Sequence, residues 1–261
     1  MAEPDDTARH DHLAVVTQRR RDMAGQLRLV ERAHAVTVLD HLAALVRDAC
    51  PQAAYVAFAY YGNTRSVDLH GVLAEAPTEL SPLPWLWDRQ NRQTDGEDED
   101  DGGHVLDGLA DRIERDTETI LRSYQSPVWS AVRRNTASEG NSWLLQLPPA
   151  DRVAHIAELV RAHHPEASHI VVDGRSGGRA LEVLEGPQGV EGPEGDGPVY
   201  RTVRCAWPLH TDDEIARMIA QIFALPDLAD RHLEAARTTY RHPFGQHPSD
   251  SIRILPLPPT D

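Results

Sequence analysis

The sequence predicts an α+β protein: a tandem duplication of a small antiparallel-sheet module preceded by an N-terminal helical segment. Three observations lead there. Residues 41–69 lie over residues 155–183 at a constant offset of 114. Short alternating apolar runs read as hairpins, and long segments carry apolar residues at three-and-four spacing. In the overlay His41, Ala43, Leu45, Val46, Arg47, Pro51, Ala53 and Arg65 meet identical His155, Ala157, Leu159, Val160, Arg161, Pro165, Ala167 and Arg179. Leu42 with Ile156, Val56 with Ile170 and Leu69 with Val183 are conservative pairs. Downstream, Leu109-Ala110-Asp111-Arg112 recurs as Leu228-Ala229-Asp230-Arg231, an offset of 119 that assigns both to one repeated late helix.

Taken in order, residues 1–31 read as an N-terminal helical segment, since Thr7 to Ala49 holds no proline and one glycine. Leu13, Val16, Met23, Leu27 and Val30 share one face. Arg20 interrupts that heptad and it dissolves after Val30 into His34 and Thr37, too short for a coiled coil, so packing against its own domain is expected. Residues 32–140 form the first module. There Leu39, Leu42, Leu45, Val46 and Ala49 line a helix stopped by Pro51. Ala54 to Tyr61 and Ser66 to Leu73 pair across the Gly62-Asn63-Thr64 turn, and the acidic run at 95–103 reads as a loop. The third strand is obscure around Leu83 to Trp87, Leu106 to Leu121 makes the late helix, and Trp143 to Leu147 is an extra strand at the junction.

Residues 141–247 form the second module, with a Gly- and Pro-rich loop at 186–198 and a third strand from Val199 to Trp207. A capping box at Thr211 to Glu214 opens a helix of Ile215, Met218, Ile219 and Ile222, and Asp227 caps a last helix to Tyr240. Residues 248–261 read as a Pro-rich, frayed tail.

Charge and composition exclude several functions. The net charge is -15, and every basic residue is Arg. The absence of Lys, with abundant Ala, Gly and Pro, reads as GC-rich codon usage and favours a bacterial source. Residues 7–47 carry a net +3, leaving -18 elsewhere, so nucleic-acid binding is unexpected. No window approaches a membrane span, and the acidic N-terminus lacks a signal-peptide pattern, so a cytoplasmic location is expected. Cys50 and Cys205 read as buried thiols.

No motif specifies a reaction. Gly174 to Gly178 satisfies G-x-S-x-G around Ser176, yet a nucleophile elbow needs a helix next and Arg179 to Leu184 alternates like a strand. The fourteen His contain no HExxH, there is no CxxC, and the acidic run lacks the order of a calcium loop; no metal or cofactor is expected. A Walker lysine is excluded because there is no lysine. Trp85 and Trp87 read as a plug between the modules or a partner anchor. The expected function is a non-enzymatic interaction or regulatory protein with a protein partner. The alternative is an anionic-ligand-binding protein or enzyme whose site lies between the modules, drawing on Arg47, Arg65, Arg161, Arg179, His41 and His155, because both copies supply them.

Overall fold

The computed structural model describes residues 4–77, 85–89, 101–122, 127–136, 141–174, 178–187, 200–235 and 252–259. The first module opens with α1 (Pro4–Ala49), followed by β1 (Tyr55–Tyr61), β2 (Ser66–Leu73), β3 (Trp85–Asp88), α2 (Asp101–Leu121), a 3-10 turn at Pro127–Ala131, β4 (Val132–Arg134) and β5 (Ser142–Gln146). The second comprises α3 (Arg152–Arg161), β6 (Ala167–Asp173), β7 (Arg179–Pro187), β8 (Tyr200–Arg204), α4 (Leu209–Ala224), α5 (Pro226–His232), β9 (Glu234–Ala235) and β10 (Ile252–Pro256). Each set makes one five-stranded antiparallel sheet, in the order β3-β2-β1-β5-β4 and β8-β7-β6-β10-β9. The two orders are the same, as duplication requires.

The offset of 114 reappears as repeated hydrogen bonds. Cys50 N–H donates to Val46 O and His164 N–H to Val160 O, closing α1 and α3 ahead of Pro51 and Pro165. The Ala53 and Ala167 amides then donate to Cys50 O and His164 O. Leu147 N–H donates to Ala54 O and Leu257 N–H to Ser168 O, which seats the exit of each central last strand beside the entry of β1 or β6.

Several expectations are corrected by this topology. The 119-residue match joins helices that are not equivalent: Leu109 to Arg112 lie on α2, Leu228 to Arg231 on the short α5. The counterpart of α2 is α4, which packs on β7 as α2 packs on β2. A four-residue match of Leu-Ala-Asp-Arg reflects helix-forming composition there. Trp143 to Leu147 is no extra strand, because β5 pairs with β1 from Ala59↔Ser142 to Tyr55↔Gln146 and so belongs to the first sheet, past the boundary expected at residue 140. The segment read as a frayed tail is β10, inserted between β6 and β9, with Ile254 and Leu255 fully buried. Pro256 is tolerated as its final residue. Thr211 lies inside α4 and not at its cap, since Pro208 precedes the helix, and Asp227 sits in the first turn of α5 after Leu225. Asp101 to Gly103 open α2 instead of ending a loop. Residues 95–100, 188–198 and 236–247, with Ser176, lie outside the described residues. Asp173 nevertheless pairs with Arg179, so the strands around Ser176 form a hairpin and not a strand-to-helix elbow.

Both cores use the inner sheet face and two helices. In the first, Val36, Leu39, Leu42 and Val46 of α1 meet Val56, Phe58, Val67 and Leu69 of the sheet and Leu106, Ile113 and Ile120 of α2. Trp87 is buried in this core with its Nε1–H donated to Asp107 at 2.9 Å, while Trp85 packs on the outer face of the same sheet. The pair is therefore internal to the first module and plugs no gap. Beyond the short β3, the open edge of β2 is closed by α2: Leu69 N–H donates to Glu114 at 2.9 Å and Val67 N–H to Glu118 at 3.2 Å. In the second core, Ile156 and Val160 of α3 and Ile215, Met218, Ile219 and Ile222 of α4 cover Ile170, Val172, Val183 and Leu255.

The modules are joined through buried polar contacts. Asp151 caps α3, accepting from Val153 N–H and Ala154 N–H. Next to it, Arg152 is 7% exposed and reaches Asp40 of α1 with two nitrogens and Gln221 of α4 with Nε at 2.8 Å. Ala224 and Leu225 extend the first core, and Arg217 donates to Ser130 O at 3.5 Å.

Candidate functional site

The six residues supplied by both copies occupy three kinds of place. Arg47 Nε donates to Ala53 O, Nη1 to Pro148 O at 2.6 Å and Nη2 to Leu147 O. Arg161 repeats the pattern, donating to Ala167 O and Leu257 O. Each guanidinium ties the end of its helix to the start of one strand and the exit of another through backbone carbonyls. Arg65 and Arg179 follow the hairpin turns and are exposed. Arg65 is the one non-glycine among the described residues with positive φ, at 57°.

His41 and His155 reach the second helix of their modules with opposite polarity. Arg112 Nη2 donates to His41 Nε2 at 2.5 Å, whereas His155 Nε2 donates to Glu214 at 3.2 Å. Glu214 also accepts from Gln146 of β5 at 3.4 Å and stands 3.7 Å from Arg217. The hydrogen bond to Glu214 holds the His155 pKa above its ordinary value, against burial, and the same bond holds Glu214 below its own. A raised histidine stabilises the fold fully below pH ~6.5 and loses that contribution as pH climbs through the folded value. The lowered glutamate contributes above pH ~4.3 and loses its share as pH falls through its folded value. The pair is thus strongest between those limits. His169, held below its ordinary value by burial, acts the other way and destabilises the fold as pH falls past ~6.5. His155→Gln is expected to reduce the loss of urea midpoint between pH 6 and pH 8.5 relative to wild type. An unchanged loss would show that the bond does not form.

Among the described residues the module junction is closely packed. Gln146, Pro148, Glu214, Arg217, Met218 and Gln221 surround a cavity of about 10 Å³, room for one water. A wider groove of about 490 Å³ opens elsewhere, beside β7 and the start of α4, where Arg179 and Arg204 face Glu182 and Asp212. Asp212 accepts from Trp207 Nε1–H at 2.9 Å. Burial and these two acids push the Cys205 thiol up to about 12, which keeps it protonated and unreactive at neutral pH. No disulfide joins it to Cys50. Among the described residues no group of three or more His, Cys, Asp or Glu is placed to hold a metal ion, and no helix is long and apolar enough to cross a membrane.

Only the C-terminal part of α1 enters the core. Its buried line, Val46, Leu42, Leu39 and Ala35, continues toward the N-terminus as Arg32, Arg28 and Arg21, and the core ends there. Apart from Gly25, every residue from Leu13 to Glu31 is exposed, so this stretch is an arm standing off the body. The stripe expected to pack on the domain does not: Leu13, Val16, Met23, Leu27 and Val30 are 46–65% exposed. It lies roughly 110° around the helix from the core line, at ~100° per residue. The arm needs no nucleation of its own, because it propagates from the anchored half of α1. Gln18 donates to Asp22 at 2.8 Å along it.

Comparison of the chain with protein-family models, curated proteins and solved structures finds no match.

Proposed function

We propose that this chain is a non-enzymatic, cytoplasmic protein of bacterial type that works by binding a protein partner, with the arm of α1 as its contact. The carrying observation is the exposed apolar stripe from Leu13 to Val30 on a helix whose other half is anchored in the core. Water-facing apolar stripes of this length are unusual on a monomer and mark contact surfaces. The reading with an anionic ligand between the modules has less support, since Arg47 and Arg161 spend N–H groups on backbone carbonyls and the described residues at the junction enclose a cavity of about 10 Å³.

Met23→Asp with Leu27→Asp should leave the unfolding free energy of the isolated chain, read from urea denaturation, within about 0.5 kcal/mol of wild type, as for exposed positions. A photo-crosslinker at Leu27 should give adducts of discrete mass in the producing cell, and one at exposed Glu75 should not. A large loss of stability in the double variant, or equal labelling from both sites, would defeat the proposal.

A further inference from the structure

We infer that the partner presents an acidic amphipathic helix, with a carboxylate facing Arg20. This rests on the reading of the arm as a protein contact and names the chemistry of what it contacts. Leu13, Val16, Met23, Leu27 and Val30 alternate three and four apart, and position 20 completes the series between Val16 and Met23. Val15 and Leu29 are exposed beside this line, which is long enough for a partner helix to lie along it. It carries no aromatic residue of the kind that anchors interfacial helices.

Charge selects the partner. Between Leu13 and Arg32 the arm carries Arg19, Arg20, Arg21, Arg28 and Arg32 against Asp22 and Glu31. A second copy in parallel would oppose Arg20 to Arg20, and in either direction would bring two basic helices together. A guanidinium inside a short seam is costly unless a carboxylate meets it, and one polar seam residue of this kind fixes register and choice of partner. An acidic helix supplies both the counter-charge and the facing group, and it explains why Arg20 interrupts an otherwise apolar series.

The test uses the full chain and three synthetic 28-residue helical peptides with leucine at the seam. One has glutamate on the flanks and facing Arg20, one has flanking glutamate with leucine facing Arg20, and one has flanking lysine. Calorimetry should show 1:1 binding of the first at least tenfold tighter than of the lysine peptide, weakening as salt rises from 50 to 500 mM. Arg20→Leu should reverse the preference between the first two. Equal affinity for the glutamate and lysine peptides would overturn the acidic partner while leaving the arm as a protein contact. Binding of none of them, with a chain that sediments as a dimer and becomes a monomer on Leu27→Asp, would overturn it in favour of a second copy. Binding of none, with a monomer and arm-dependent capture by anionic phospholipid vesicles, would overturn both the inference and the protein-contact reading.

Discussion

Replacing Gly178 with alanine is expected to destabilise the second module by about 3–5 kcal/mol, combining backbone strain with overpacking. Gly178 has φ of +91°, a conformation that side chains resist, and it stands immediately before β7, directly against α4. A Cβ there would stand 2.3 Å from Ala220 N, 2.7 Å from Ala216 O and 2.8 Å from Ala220 Cα. These are helix backbone atoms, so no side-chain rotation relieves the clash; α4 must lift from β7 or the hairpin must open. Urea denaturation followed by far-UV circular dichroism should show the midpoint falling steeply. A variant with the wild-type midpoint would mean that α4 does not lie this close to the strand. Gly71 offers the parallel case in the first sheet, with Trp87 O only 2.2 Å from the added Cβ.

Arg152→Ala should cost about 2–3 kcal/mol and separate the unfolding of the two modules. Loss of one partner from a fully buried ion pair costs about 3–5 kcal/mol, and the figure is discounted here because Asp40 is about one-third exposed. Gln221 loses its donor in the same step, and it is itself buried. Since Arg152 links α3 to both α1 and α4, its removal should turn a single transition into two resolved by different probes. Trp87 and Trp207, one in each module, supply them. The Asp40→Asn variant should reproduce much of the loss, and the double variant should cost less than the two single losses added together. Additive losses would mean the two side chains do not interact.

The parts of this architecture that were legible are those written in local order. Helix, proline, strand, turn and strand follow one another within about thirty residues, so the offset of 114 between His41 and His155 was visible. What escaped depends on residues far apart. Nothing in Ser142 to Gln146 says that it pairs with β1, and nothing in Ile252 to Pro256, beside its prolines, says that it is a central strand. Arg152 was likewise invisible as a junction residue, although Asp151 ahead of an apolar run was a readable cap. The arm shows a different limit. Three-and-four spacing reports which face of a helix is apolar, and it does so equally for a covered and an uncovered face. The arginines at 21, 28 and 32, in line with Ala35 and Leu39, were the available sign that the core stops, because a buried line does not turn into guanidinium groups without partners.

The identical strand order of the two sheets carries a hazard during synthesis. β1 waits for β5, with Val56 paired to Leu145, and β6 waits for β10, with Ile170 paired to Leu255, 85 positions later. In both halves the hairpin closes first and leaves its inner strand with one naked edge of the same shape. While β10 is still unmade, the bare edge of β6 is a second acceptor for β5, which would give a strand-exchanged chain with every local hairpin correct. The link from Gln146 to Arg152 is short, and Arg47 grips Leu147 and Pro148 at its start. Arg47 thereby holds β5 to its own half of the molecule before the competing edge exists, which makes it a guardian of connectivity as much as of stability.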